Sequence, residues 1–279
     1  MVQHLLRMIG GCLVLLLAGL MLPAYAATTA LKLGGTGTDL GTMRLLADAF
    51  QKQAANTTLD IQPSIGSTGG ISAVMAGALD IAISSRPLKA EELAQGAKQW
   101  NYAKTPFVFA THQQVTQANL TTAQIISIYN GTMTRWEDGT TIRLILRPET
   151  ETDTVLLKQY IAGMDVAMGL AFQRRGPPIA ATDQDTADNI QKISGAMGPS
   201  TWALILGENR PLKGLALNNI APTVANIANG TYPMIKSLYL VTPPQPKAEA
   251  LSFINFMRSK EGVAILQRTG HLVLAAQVK

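Results

Sequence analysis

The stretch Leu59-Asp60-Ile61-Gln62-Pro63-Ser64-Ile65-Gly66-Ser67-Thr68-Gly69-Gly70-Ile71 decides how the chain is to be read. Leu59 to Gln62 alternates apolar and polar residues and predicts a strand, with Pro63 stopping it. Gly66 to Gly70 is a turn of glycine and hydroxyl residues, and Ile71 to Ala78 is helical. The same order recurs on both sides. Upstream, Leu31-Lys32-Leu33 is a short strand and Gly34 to Thr38 a turn, and Met43, Leu46, Ala47 and Phe50 share one helical face. Downstream, Asp80 to Ser84 is a third strand. Strand, turn and helix in regular succession imply parallel strands joined by crossover helices, hence an α/β sheet.

Thr105 to Ala110 is a longer apolar strand, beyond which a second unit begins. Its helices are Thr121 to Tyr129, Thr154 to Ile161, Asp183 to Ile193 and Ser200 to Leu206, and its strands Thr141 to Leu146 and Leu212 to Leu217. Lys236 to Val241 is a strand broken by Pro243, Pro244 and Pro246, and Ala248 to Met257 and Gly262 to Gln267 are closing helices. No Pro/Gly/Ser linker divides the chain into two successive beads. The pattern therefore predicts two α/β lobes, the second inserted into the first. Lobe 1 takes residues 27–110 and 232–279 and lobe 2 residues 111–231, with a ligand cleft between them.

Composition narrows the function. With 47% hydrophobic and 15% charged residues the chain is globular, not disordered. The net charge of +5 comes from scattered basic residues, which favours anions weakly and does not form a nucleic-acid surface. Residues 1–26 predict a secretory signal peptide: Arg7, an uncharged apolar run from Met8 to Pro23, then Ala24-Tyr25-Ala26 before a cut at Ala27. The apolar run is shorter than the ~20 residues a spanning helix needs. Without a twin Arg, the general export route into the periplasm is expected. Cys12, the single cysteine, lies inside this segment ahead of most of the apolar run, the wrong place for a lipid anchor. The mature chain then has no thiol, so disulfides and thiolate chemistry are excluded. His112 and His271, its two histidines, are not at metal-binding spacing, and no metal or cofactor is expected.

Three segments pair a strand end with a helix start: Gly35-Thr36-Gly37-Thr38-Asp39, Ser67-Thr68-Gly69-Gly70, and Arg147 through Thr152-Asp153-Thr154. A helix start leaves backbone N–H groups without internal partners and carries partial positive charge. Glycine lets backbone approach a ligand, and Ser and Thr add hydroxyl donors, so such starts hold oxyanions. Helix capping alone is the competing reading of each. Ser84-Ser85-Arg86-Pro87 adds a further strand end, where Arg86 either clamps an oxyanion or sits as a solvated surface residue; Arg147 is read as a binding residue. Gly35-x-Gly37-x-x-x-Gly41 has the wrong spacing for a dinucleotide fingerprint, and no G-K-[ST] phosphate loop occurs.

Several stretches together resemble the phosphate-binding receptors of ABC transporters, in the periplasmic binding protein superfamily. They are Pro63 to Ile71; Ala76 to Leu88; Leu120 to Ile125 with Ile128-Tyr129-Asn130-Gly131 and Thr134-Arg135-Trp136; and Ser252 to Phe256 with Ser259 to Gly262. The resemblance covers most of the mature chain. It implies a type II two-lobed fold that closes on a tetrahedral oxyanion, an ABC permease as partner and a monomeric receptor. It places Thr36 to Leu40 in the first binding turn, with Thr38 the leading hydroxyl. Ser67 or Thr68 follows, with Gly69 and Gly70, and then Arg147 with Thr152-Asp153-Thr154. The sequence departs from that pattern at one point. The family's phosphate-selecting Asp at the end of the third strand is matched here by Ser85, followed by Arg86. Asp39 or Asp153 either supplies the missing acceptor or caps a helix.

The expectation is a periplasmic protein that captures inorganic phosphate or a similar tetrahedral oxyanion, with sulfate or molybdate as competing ligands. The rival from another class is an exported phosphate-ester hydrolase using Ser67, Ser84 or Thr154, which the distance of both histidines from these turns disfavours. A receptor domain retained as a sensor or adhesive surface is the third reading.

Overall fold

The computed structural model describes residues 28–278, so the signal-peptide expectation on residues 1–26 lies outside them. In chain order they form β1 (Thr29–Gly35), a 3₁₀ turn (Gly37–Asp39), α1 (Leu40–Gln51), β2 (Thr57–Ser64), α2 (Gly66–Met75), β3 (Ile81–Ser84), α3 (Ala90–Ala94) and β4 (Lys98–His112). Then follow β5 (Asn119–Leu120), α4 (Thr122–Asn130), β6 (Arg143–Leu144), α5 (Thr152–Tyr160), α6 (Met164–Gln173), α7 (Asp183–Lys192), β7 (Ala196–Thr201) and α8 (Trp202–Gly207). The chain ends with β8 (Leu212–Gly214), β9 (Ala216–Leu217), α9 (Val224–Ala228), β10 (Ile235–Thr242), α10 (Ala248–Phe256), α11 (Lys260–Arg268) and β11 (Leu272–Val278).

The predicted parallel arrangement is present: β1 lies between β2 and β3 and pairs parallel with both. The sheet continues in the order β2-β1-β3-β10-β4-β7-β6, with β10 antiparallel to β3 and β4. Pro63 does not stop the second strand but lies within β2, an edge strand, where a missing N–H costs no ladder bond. Ser200 and Thr201 belong to β7 rather than to a helix, and Thr201 Oγ1 accepts from Leu204 N at 3.2 Å to cap α8. The strand expected over Thr141–Leu146 is reduced to β6 and two isolated bridges, Thr141 to Arg135 and Leu146 to Ile179.

The two largest of four apolar clusters among the described residues divide the chain. The first holds Leu31, Leu33, Met43, Leu46, Phe50, Ile83, Trp100, Leu238 and Phe253. Phe50 meets Phe253 edge-on with ring centroids 5.5 Å apart. The second is built from residues inserted between the two halves of the first, including Phe107, Phe109, Ile125, Tyr129, Trp136, Met168, Tyr232 and Met234. Each such side chain contributes about 1.5–3 kcal/mol by leaving water. β4 belongs to both: its Trp100 and Tyr102 pack in the first, its Phe107 and Phe109 in the second. The chain returns through β10, with Met234 in the second core and Leu238 in the first. Lys236 sits at that passage.

Candidate functional site

The ends of β1 and β3 and the starts of α2, α5 and α7 meet where the two cores face each other. Thr36 opens the first turn. Its Oγ1 accepts from Thr38 N at 3.4 Å, and its hydroxyl lies 3.2 Å from that of Thr38. Ser85, just past β3, hydrogen-bonds through its hydroxyl to Ser67 Oγ at 3.0 Å and lies 3.5 Å from Thr36 Oγ1. Ser85 N also donates to Ser67 Oγ at 2.9 Å. Four hydroxyls of the first core, all buried, thus form one patch.

Charges face this patch from the other core. Thr38 Oγ1 donates to Asp183 Oδ1 at 3.1 Å and accepts from Lys236 Nζ at 2.9 Å. Lys236, only 1% exposed, also pairs with Asp153 and lies 3.5 Å from Asp183 Oδ1. Burial alone would lower the Lys236 pKa, but Asp153 and Asp183 outweigh it and hold it above the ordinary lysine value. Burial likewise opposes ionisation of Asp183, yet Lys236 and then Arg147 keep its carboxyl below the usual range. Arg147 donates from Nη1 to Ala180 O at 2.8 Å, which fixes the guanidinium. Its Nη2 lies 3.7 Å from Glu151 Oε2 and 3.9 Å from Asp183 Oδ2, and its Nε 3.7 Å from Asp153 Oδ2. Arg147 Nε and Asp153 Oδ2 are buried and make no hydrogen bond to any group of the protein. Thr154 is buried beside them and donates to Arg147 O at 3.3 Å.

Helix starts supply the backbone donors. Amides in the first turns of α2 and α5, from Ser67, Thr68, Thr152, Asp153 and Thr154, have no partner within the helix. Gly69 and Gly70 have a different role from the expected one. They lie in the second turn of α2, where the helix uses their amides. A Cβ on Gly70 would meet Gly35 Cα at 2.6 Å, so this glycine lets α2 press onto β1. Gly37 permits another close approach: a Cβ there would meet Gln184 Oε1 at 2.2 Å. Gln184 Nε2 donates to Gly37 O at 2.8 Å and ties the start of α7 to the first turn.

The structure therefore brings together Thr36, Gly37, Thr38, Ser67, Ser85, Arg147, Asp153 and Thr154. Thr68 and Thr152 lie at the edge, lining a cleft beside the cluster. Two expected residues have other partners. Arg86 directs its guanidinium fork at Glu92, with bonds of 2.7 and 2.9 Å. Asp39 points into the first core, taking the Tyr102 hydroxyl at 2.5 Å and lying 3.0 Å from His271 Nε2. It anchors the first turn instead of facing a ligand. Asp183 and Lys236 were not anticipated. Lys236 left one trace in the sequence: it is the charged residue in the otherwise largely apolar run Ile235 to Val241. Asp183 was hidden behind Thr182, whose side chain forms a capping box with Asp185.

Comparison with known proteins agrees with this fold. A family profile described as the PBP superfamily domain matches residues 23–261. The phosphate-binding protein PstS of Borreliella burgdorferi is 28% identical over 228 residues, covering 78% of this chain and 80% of its own. A crystal structure with bound phosphate from Clostridium perfringens superposes with a TM-score of 0.76 at 21% identity, covering 88% of this chain and all of that one. The periplasmic molybdate-binding protein of Azotobacter vinelandii gives a TM-score of 0.62 at 16% identity, covering 88% of this chain and 100% of its own.

Proposed function

Because the chain belongs to the PBP superfamily, with its two-lobed α/β fold, we propose that it is a periplasmic receptor that captures inorganic phosphate for an ABC importer. The observation that carries the ligand assignment is the pair Arg147 Nε and Asp153 Oδ2, both buried, unpartnered and 3.7 Å apart. A single ligand hydroxyl oxygen can sit about 2.8 Å from each, accepting from the guanidinium and donating to the carboxylate. A protonated oxyanion has such a hydroxyl. Sulfate at neutral pH has none, and would place a bare acceptor against Asp153.

The charge balance supports the same ligand. Arg147 and Lys236 are offset by the buried Asp153 and Asp183, with the partly exposed Glu151 at the rim, so the cluster holds no excess positive charge before a ligand arrives. A fully ionised dianion would add uncompensated buried charge. A monoanion such as dihydrogen phosphate adds less such charge than a dianion. Asp153 thus takes over the acceptor role for which Ser85 has no carboxylate. The remaining anion oxygens would be met by Ser67, Ser85, Thr38 and the first-turn amides of α2 and α5.

On this reading lobe 1 is residues 27–110 with 232–279 and lobe 2 is 111–231, joined through β4 and β10. Phe107 and Phe109 of β4, with Tyr232 and Met234 just before β10, pack into the core of lobe 2. The receptor works as a monomer and makes or breaks no bond. The hydroxyls of a hydrolase reading have other partners: Ser67 bonds to Ser85, Ser84 donates to Arg86 O at 2.7 Å and Thr154 to Arg147 O. One observation favours a second ligand class, since the Ser85 hydroxyl can donate to any oxyanion, sulfate or molybdate included. Calorimetry at pH 7 with phosphate, sulfate, molybdate and tungstate separates the two. Heat with phosphate alone supports the assignment. Equal heat with sulfate would move the protein to the unprotonated class, and no heat with any of the four would refute the receptor reading.

A further inference from the structure

Beside the oxyanion cluster lies a cleft of about 430 Å³. Its size falls within the ~300–1,000 Å³ of small-molecule pockets, more room than a lone tetrahedral anion needs. The cleft and the cluster are continuous. Ser85 lines the cleft and bonds to Ser67 inside the cluster, and Thr68 and Thr152, from the first turns of α2 and α5, stand on its wall. The rest of the lining is mixed: Val155, Leu156 and Tyr160 from α5 and Ile235 and Tyr239 from β10 stand with Arg86, Lys89, Gln159 and Ser237. Val155 and Tyr160 are 42% and 37% exposed, so both offer apolar surface to this cleft. The Tyr160 hydroxyl donates to Ile235 O at 2.6 Å, which joins α5 to β10.

A bare oxyanion is accounted for by the cluster alone, whereas the cleft that opens on its hydroxyl patch adds both apolar and polar surface. We propose that, besides inorganic phosphate, the receptor takes an organic phosphate or phosphonate whose phosphoryl head sits in the cluster and whose apolar or aromatic arm lies in the cleft. The proposal rests on the oxyanion assignment above. The head keeps three oxygens for Arg147, Asp153, the hydroxyls and the helix amides. The fourth substituent leaves past Ser85 and Thr152 and lies between Tyr160 and Tyr239, where a flat arm finds ring faces.

The test is calorimetry with inorganic phosphate and with phenylphosphonate. It is run at pH 6, near the second pKa of about 6 of a phosphomonoester, where about half of such heads, and more of a less acidic phosphonate, still carry a proton. Phenylphosphonate is expected to bind about tenfold or more tighter than phosphate, the scale of a few buried apolar contacts. V155W, which narrows the cleft at an exposed position, is expected to weaken phenylphosphonate about tenfold and leave phosphate unchanged. Y160A, checked for folding by circular dichroism, is expected to reduce the preference in the same direction. Phosphate binding with no gain for phenylphosphonate and no response to V155W would overturn this proposal alone. Failure of both ligands to bind would overturn the oxyanion assignment and this proposal with it.

Discussion

The two halves of the candidate site are built from different chemistry. The half on the first core, Thr38, Thr36, Ser85 and Ser67, offers neutral hydroxyls linked in that order by contacts of 3.2, 3.5 and 3.0 Å. The half on the second core, Arg147, Asp153 and Asp183, carries charge, and Lys236 on β10 reaches it from the passage between the cores. Neutral donors accept any oxyanion geometry that fits them. Buried charges do not, because each must find a compensating partner. Affinity for anions in general is therefore expected to reside in the first half, and selection by protonation state in the second.

The strongest way to break this contrast is to remove a charge. K236M leaves Asp153 and Asp183 without their shared cation and should cost about 3–5 kcal/mol of stability, read as a lower urea midpoint. A loss below about 1 kcal/mol would mean that the carboxylates are compensated elsewhere. R147A should abolish phosphate binding in calorimetry, since it removes the guanidinium proposed to face the ligand.

A subtler change sharpens the contrast by altering selectivity. In D153N the carboxylate becomes an amide that donates as well as accepts. Sulfate should then bind measurably while phosphate weakens, so the ratio of their affinities falls by about tenfold or more. Unchanged discrimination would place the selecting group elsewhere.

Acidification probes the same half. The Asp183 pKa is held below its ordinary value of 3.8, so its stabilising contribution is complete above that value and is lost as pH falls through the lower one. Thermal midpoints measured from pH 7 downward should drop in that acid window, and D183N should flatten the drop. Lys236 acts at the other extreme. Its raised pKa makes its contribution complete below the ordinary 10.5 and lost only as pH rises beyond it.

The smallest effects belong to the neutral half. S67A or S85A removes one hydroxyl from a patch that keeps others, and each should weaken phosphate by about 1 kcal/mol, roughly fivefold, with selectivity against sulfate unchanged. A selectivity change in S85A would contradict the division of labour.

Much of this architecture was legible before any coordinates. The strand–turn–helix rhythm through Leu33, Gly66 and Ile83 predicts the parallel β2-β1-β3 core, because crossover helices leave few other arrangements. The hydroxyls were legible for the same reason: residues at helix starts must face the sheet edge. Residues whose role depends on a distant partner were not. Arg86 and Arg147 both follow strand ends, yet Glu92, six residues on, captures the first and three carboxylates surround the second. Asp39 sits in the first turn but meets Tyr102 and His271, which only the folded chain brings to it. The handover between cores inside β4, between Ala103 and Phe107, was equally hidden, since a strand shared by two cores looks like one apolar run.

The most direct test is a crystal structure of the mature chain grown with inorganic phosphate at neutral pH. One tetrahedral anion is expected in contact with Ser67, Ser85, Arg147 Nε and Asp153 Oδ2 together, with the two lobes closed around it. Phosphate bound at a site that excludes either Arg147 or the Ser67–Ser85 pair would contradict the convergence of the two halves on one ligand.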